Sequence, residues 1–282
     1  MRINTNISSL SAQEANVNTN KSLQNSLEKL SSGLKINKAS DDASGLAIAD
    51  KLRTQATSIN QGVDNGNSAV ALLQIADKSM AEQSNILDTI KAKLIQANTS
   101  TTSADGRAAI ADDVSKLLDQ LDNIAAQTNY NGTYLLQASA TTTTGSTALS
   151  FQVGEKSTDT ISTESIRSNV TGLNLTALRT SVDAGGISVS LAGSAQTTVD
   201  AAITTLNSNR SEIGSTQNQV ESAVRNLMTQ ATNVKAAESV IRDVDYAAES
   251  ANFNKQNIIS QAGSYAISQA NAAQQNVLRL LQ

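Results

Sequence analysis

Apolar residues in the last third of the chain recur at seven-residue intervals. The spacing is kept without a break from Val199 to Ile241, and such a heptad repeat holds one stripe of a helix against a partner helix. The positions are Val199, Leu206, Ile213, Val220, Leu227, Val234 and Ile241. Because a single rod cannot bury its own stripe, the pattern predicts a function based on association between helices.

Two further stripes predict the partners of this rod. One alternates steps of four and three residues through Ala69, Leu73, Ala76, Met80, Gln83, Leu87, Ile90, Leu94 and Ala97, and a shorter one comprises Ile110, Val114, Leu117, Leu121 and Ile124. We predict a mainly α fold of long antiparallel, coiled-coil-like helical rods. Gly62, Asn65 and Gly66 predict an interruption before the longer stripe, and residues 98–105 predict a turn.

Both ends of the chain also carry apolar helical stripes. The first comprises Ile3, Ile7, Leu10 and Val17, and the second comprises Ile259, Ala262, Ala266, Ala270, Ala273, Val277 and Leu280. Leu278, Leu280 and Leu281 cannot all face one partner helix, so burial from several directions is expected. Two interpretations remain open, namely an intramolecular hairpin and terminal helices that become ordered only against other copies of the chain.

The pattern changes after the turn dipeptide Asn131-Gly132. Residues 149–153 and 160–162 alternate at strand period and predict a β-hairpin. Ile187, Val189 and Leu191 alternate in the same way and predict another strand. We therefore expect a small β-hairpin or irregular insert over about 138–196, within an otherwise helical chain.

Composition removes several classes of function. The chain has no His, Cys, Trp or Pro and a net charge of −4, so the usual catalytic triads, thiolate nucleophiles and common zinc sites are excluded. We expect no enzyme and no cofactor. No basic cluster is interleaved with aromatic residues and no apolar stretch is long enough for a span, so nucleic acid and membrane insertion are not expected. The N-terminus lacks the pattern of a cleaved signal peptide.

Several segments resemble one known family. Residues 31–37 (SSGLKIN) and 41–53 (DDASGLAIADKLR) resemble the N-terminal signature of bacterial flagellin, and Asn129-Tyr130-Asn131-Gly132 is a further match. Residues 237–250 (AESVIRDVDYAAES) and the ending 274–282 (QQNVLRLLQ) resemble the C-terminal region. These segments look most similar to those of flagellins from Campylobacter and Helicobacter relatives. The middle region of this chain is short, as in a minimal flagellin.

The resemblance implies a structural subunit that polymerises into the extracellular flagellar filament for swimming motility, exported without a cleaved signal peptide. It implies an inner core of the terminal segments 1–44 and 244–282 around which the rod domain 45–243 is arranged. Subunit packing is expected at Ile3, Ile7, Leu10, Val17, Ile259, Ala266, Ala273, Val277, Leu278, Leu280 and Leu281. The implied partners are further copies, a cytoplasmic flagellin chaperone, the export apparatus, and the filament cap and junction proteins.

Two other functions remain as alternatives, a hook-filament junction or adaptor protein and a signalling coiled-coil hairpin of the chemoreceptor kind. Asp41, Asp42 and Asp50 lack the spacing of an EF-hand, and helix capping explains the first two.

In flagellins detected by the innate flagellin receptor, one segment resembles Leu-Gln-Arg-Val-Arg-Glu-Leu. Here it carries Leu87, Thr89, Lys91 and Ala92, which predicts weak receptor recognition, because a guanidinium and a carboxylate are missing.

Overall fold

The structure is a computed structural model that describes residues 5–139 and 141–280, with side chains through Asn276. Within these ranges the chain is mainly helical with two small hairpins, which confirms the predicted fold class. The helices are α1 (Ile7–Ser32), α2 (Ala43–Ala97), α3 (Ala104–Gln127), α4 (Thr176–Asp183), α5 (Val189–Arg242) and α6 (Tyr246–Leu280). The strands are β1 (Asn129–Tyr130), β2 (Thr133–Tyr134), β3 (Ser150–Gln152) and β4 (Thr160–Ser162).

Chain contacts divide the protein into two compact units. One unit comprises residues 1–56 and 232–282, and the other comprises residues 57–231. The terminal segments that the resemblance assigns to an inner core, 1–44 and 244–282, fall within the ranges of the first unit. Each unit has its own packing.

The second unit is built around the predicted stripes of α2, α3 and α5. The whole α2 stripe is buried, as are Val199, Leu206, Ile213 and Val220 of α5. Ion pairs join Lys91 to Asp200 and Asp77 to Arg210, so α2 and α5 run antiparallel. In α3 the buried positions include Leu118 and Ala125, whereas the predicted Leu117 and Ile124 are only half-buried.

One polar residue lies inside the α2 stripe. Gln83 is fully buried, and its Nε2 donates to the carbonyl oxygens of Leu121 at 3.1 Å and Ser168 at 2.8 Å. A buried amide nitrogen requires such partners, since an unpaired polar group in a core is costly; the Oε1 atom of Gln83 is buried without a hydrogen-bond partner among the described residues. Gln83 therefore ties α2 to both α3 and the segment before α4.

The predicted interruption at Gly62, Asn65 and Gly66 is wrong, because α2 is continuous through it. The glycines are required for close packing instead. A Cβ on Gly62 would lie 2.6 Å from the carbonyl oxygen of Val153, and one on Gly66 would lie 2.4 Å from Val224 Cγ2. Glycine in this turn of the helix lets a β-strand end and α5 approach the α2 backbone.

The small strands form two antiparallel hairpins. Asn131 and Gly132 have positive φ angles of 50° and 81°, as a tight two-residue hairpin turn requires. The predicted hairpin of residues 149–153 and 160–162 is confirmed by the pairing of β3 with β4, in which Phe151 lies opposite Ile161.

The strand predicted at Ile187, Val189 and Leu191 is wrong. The segment contains the start of α5, where the Ser188 hydroxyl accepts a hydrogen bond from the Leu191 N–H at 3.2 Å. Ser188 thus caps the helix, and only Ile187 is fully buried, against the core of the second unit. The apolar residues at 187, 189 and 191 therefore do not mark one face of a strand. Ile187 is buried before the helix starts, and Ser188 caps the helix.

Candidate interface on the terminal helices

The terminal helices α1 and α6 pack against each other along their length. The residues that face the partner helix are half-buried or buried and recur every three or four positions. On α1 they are Ser9, Ala12, Asn16, Thr19, Leu23, Ser26 and Leu30, and on α6 they are Glu249, Phe253, Gln256, Ser260, Gly263, Ile267, Ala270 and Gln274. The seam between the two helices is therefore largely polar or small.

Hydrogen bonds across this seam fix the alignment of the helices. Asn6 Nδ2 donates to the Ala270 carbonyl oxygen at 3.0 Å, and Asn16 Nδ2 donates to the Ser260 carbonyl oxygen at 3.3 Å. The Ser260 hydroxyl donates to Asn20 Oδ1 at 2.9 Å. The order of these partners shows that α1 and α6 are antiparallel, and the contacts connect side chains to specific backbone positions.

The seam leaves the apolar faces of the two helices uncovered. Ile7, Leu10 and Val17 on α1 are 65%, 62% and 55% exposed, and Ile258 on α6 is 67% exposed. Covering a large aliphatic side chain contributes about 1.5–3 kcal/mol when it is fully buried. Isolated exposed apolar residues are normal, but a series along both helices of one pair is typical of an interaction surface.

The predicted packing residues mostly lie on this uncovered surface. Ile7, Leu10, Val17, Ile259, Ala266 and Ala273 are all exposed, whereas Ala270 of the same predicted stripe is half-buried in the seam. Ile3 and Leu281 lie outside the described residues, and so do the side chains of Val277, Leu278 and Leu280. The sequence interpretation missed Asn16, Asn20 and Ser260, because polar side chains give no hydrophobic signal.

A junction of loops lies where α1 ends and α6 begins. Gly33 ends α1 in the left-handed conformation with a φ of 75°, and the Tyr246 hydroxyl lies 2.9 Å from where a Cβ on Gly33 would be. The Lys35 N–H donates to the Arg242 carbonyl oxygen at 2.6 Å, and the Val244 N–H donates to the Gly33 carbonyl oxygen at 3.0 Å. The two segments that resemble family signatures therefore contact each other here.

Carboxylates begin the helices on both sides of the junction. Asp42 Oδ1 accepts from the Gly45 N–H at 2.9 Å and caps α2, while Asp41 Oδ2 accepts from the Asn37 and Lys38 N–H groups. Asp245 Oδ1 accepts from two N–H groups at the start of α6. The predicted helix capping is confirmed for Asp42. For Asp41 it is wrong, because its carboxylate accepts from N–H groups of the loop before α2 and closes that loop instead.

The pKa of one lysine near the junction is raised by its partner. The hydrogen bond from Lys38 Nζ to Glu28, at 2.6 Å, raises the pKa of Lys38 above its ordinary value of 10.5. Both side chains are exposed, so the pair contributes little to stability.

The segment predicted for receptor recognition lies on α2. Leu87 is fully buried, Thr89 and Ala92 are exposed, and Lys91 pairs with Asp200. The structure therefore presents two of these four side chains freely on the surface.

Across the described residues, no helix has the length and apolarity to cross a membrane, and no group of three or more His, Cys, Asp or Glu residues could hold a metal ion.

Comparison with known proteins identifies the family. Residues 3–141 match the family described as the bacterial flagellin N-terminal helical region, and residues 196–281 match the bacterial flagellin C-terminal helical region. The chain belongs to the bacterial flagellin family. Flagellins are structural subunits of the flagellar filament, an extracellular motility organelle, and the junction-protein and chemoreceptor alternatives are not favoured.

Full-length flagellins are similar to this chain from end to end. A flagellin of Bacillus subtilis is 36% identical over all of both chains, and a flagellar filament 33 kDa core protein of Treponema phagedenis is 35% identical with the same coverage. Flagellin B of Helicobacter pylori is 46% identical over 57% of this chain and 30% of its own length. The match with the Helicobacter protein thus covers little more than half of this chain and less than a third of that protein.

Solved structures support the same fold. A Bacillus cereus flagellin has a TM-score of 0.50 at 28% identity and covers 62% of this chain and 94% of its own. A hook-associated protein from Vibrio parahaemolyticus has a TM-score of 0.61 at 12% identity, covering 72% of this chain and 99% of its own. The second likeness concerns the fold alone.

Proposed function

We propose that this flagellin polymerises through the uncovered apolar faces of α1 and α6, which form the inner core of the filament. The observation that carries the proposal is that different residues of these helices form the contact within the chain and the exposed apolar surface. Polar and small residues hold α1 to α6 within one chain, and Ile7, Leu10 and Val17 stay exposed. Apolar surface left on a folded pair in this way is buried by other copies.

The first test replaces apolar residues of the uncovered face. Leu10→Ser with Val17→Ser removes two large exposed side chains. Ala15→Ser, at an exposed position about 140° around the same helix from Leu10, is the control for the introduction of serine. We expect the double variant to remain helical by circular dichroism and to fail in seeded polymerisation, while the control forms filaments. Normal filaments from the double variant, seen by electron microscopy, would contradict the proposal.

The second test concerns the last residues, from Asn276 to Gln282. Their deletion removes Val277, Leu278, Leu280 and Leu281, which the sequence assigns to contacts between copies. We expect a soluble, largely helical protein that no longer polymerises. Filaments of ordinary length from the truncated chain would show that these residues are not packing residues.

We also propose that a cytoplasmic chaperone binds the last helix before export, and that the export apparatus, cap and junction proteins are later partners. The supporting observation is that Ile258, Ile259 and Tyr265 of α6 are exposed in the single chain. Such surface promotes aggregation unless it is shielded. The chaperone should co-purify with the full chain and be lost from a variant in which Ile258, Ile259 and Tyr265 are replaced by Ser, and equal recovery with both would contradict this placement.

A further inference from the structure

The chain contains two Asn-Gly dipeptides in contrasting environments. Asn131-Gly132 connects β1 to β2, and Asn65-Gly66 lies inside α2. Because glycine has no side chain, its amide nitrogen is poorly shielded and can reach the side-chain amide carbon of the preceding Asn. Asn is accordingly among the thermolabile residues of proteins. The same chemistry is thus available at two sites that differ only in structure.

The site in the hairpin turn is open. Asn131 and Gly132 are both exposed, and a Cβ on Gly132 would meet nothing within 4 Å. Among the described residues, neither the Asn131 amide nor the Gly132 N–H has a hydrogen-bond partner. The hairpin consists of only two residue pairs, Asn129 with Tyr134 and Tyr130 with Thr133, so little pairing must be lost for the turn to change conformation.

The site in the helix is held on all sides. Asn65 Nδ2 donates to the Gln152 carbonyl oxygen at 3.1 Å, and Asn65 Oδ1 accepts from Gln61 Nε2 at 3.0 Å. Gly66 is buried against Val224, and its N–H lies within the helical hydrogen-bond pattern. Attack by this nitrogen requires α2 to open locally, which keeps the reactive fraction small.

We propose that Asn131 is a site of spontaneous deamidation in the folded protein and that Asn65 is protected. The Gly132 backbone nitrogen attacks Asn131 Cγ, a C–N bond forms, the Cγ–Nδ2 bond breaks, and the proton from the attacking nitrogen leaves with the amide as ammonia. Water then opens the resulting succinimide. Addition at Cγ gives aspartate, and addition at the backbone carbonyl carbon gives isoaspartate.

The two products have different consequences for the hairpin. Both products carry one new carboxylate and make the net charge more negative by one. Aspartate tolerates positive φ and keeps the turn. Isoaspartate inserts an additional atom into the backbone, so the pairing of Tyr130 with Thr133 cannot be kept unchanged. Isoaspartate is also a substrate for isoaspartyl methyltransferase, which gives a chemical readout that an ordinary Asp would not.

The test compares the two dipeptides in one sample. The full chain is incubated in mildly alkaline buffer, with and without urea, and the conversion of each peptide is followed by mass spectrometry and by methyl transfer to isoaspartate. We expect Asn131 to convert faster than Asn65 in the folded protein by about tenfold or more, because only the helical site must unfold first. In urea the two rates should converge.

The variant Asn131→Gln provides the control, because ring closure from the longer side chain is slow while the amide is retained. It should abolish methyl transfer to this peptide and leave circular dichroism unchanged. Equal rates at both sites in the folded chain, or an Asn131 that converts only in urea, would overturn the proposal. If Asn131→Gln perturbs the fold, the comparison of the conversion rates of Asn131 and Asn65 in the unmodified chain still decides the question.

Discussion

Replacing Gly66 by Ala should destabilise the protein, although Ala is the better helix former. A Cβ at this position would lie 2.4 Å from Val224 Cγ2 and 3.7 Å from Val220 Cγ1. Favourable carbon contacts lie at about 3.5–4.0 Å, so the Val224 methyl group must move by about 1 Å. A valine in a helix has one strongly preferred rotamer, and rotation away from the new methyl group is therefore costly.

The magnitude follows from two opposing effects. Ala in a helix interior is favoured over Gly by about 1 kcal/mol, and overpacking a well-packed core costs about 1–3 kcal/mol. Gly66→Ala should therefore lower the free energy of unfolding by about 0–2 kcal/mol. Gly214→Ala in α5 is the matched control, because a Cβ there would meet nothing within 4 Å. It should stabilise by about 0.5–1 kcal/mol.

A double-mutant cycle isolates the overlap. Val224→Ala removes the obstructing methyl group, so it should cost less in the Gly66→Ala background than alone, with a coupling of about 1 kcal/mol or more. Urea unfolding followed by circular dichroism measures all variants, in the transition of residues 57–231. A Gly66→Ala variant as stable as Gly214→Ala, or a cycle without coupling, would refute the packing argument.

Three further predictions concern one or two side chains each. Gln83→Leu should lower the free energy of unfolding by about 1–3 kcal/mol, measured in urea, because buried carbonyl acceptors lose their donor. Monomer should activate the innate flagellin receptor weakly or not at all in reporter cells, and Thr89→Arg with Ala92→Glu should restore part of the activity; full potency of the unmodified chain would contradict this. Glu28→Gln should return the pKa of Lys38 toward 10.5 in an NMR titration. Since that pKa is raised in the folded state, any contribution of the pair is present below pH 10.5 and lost as the pH rises through the folded value; an unchanged pKa would exclude the hydrogen bond as its cause.

The sequence was most informative where burial and periodicity coincide. The α2 and α5 stripes could be predicted because heptad positions are buried by the partner rod, as at Leu87 and Leu206. Gly62 and Gly66 could not be interpreted correctly, since a break in a helix and a close approach to its backbone both favour glycine. Only the positions of Val153 and Val224 in the structure distinguish the two. The short alternation of apolar and polar residues from Ile187 to Leu191 was compatible with a strand. In the structure Ser188 caps α5, so the residues after it are helical.

The terminal helices show a different limit of sequence reasoning. Their apolar stripes indicated an association surface, and the structure leaves Ile7, Leu10 and Val17 exposed. The polar part of the seam that joins α1 to α6 was not recognised, because Asn16 and Ser260 have no hydrophobic signal. A seam built from polar side chains becomes visible only when the positions of both helices are known.

The α1–α6 seam also sets an order of events during folding. Asn6 and Ala270 are separated by 264 residues along the chain, and closing so long a loop in an otherwise unfolded chain carries a large entropic cost. Residues 57–231 can form their own core first, which shortens the effective loop. Contacts of such high sequence separation form late and slowly. The packing of α1 therefore depends on a helix that is synthesised more than 200 residues later, and it is completed only after α6 has been made.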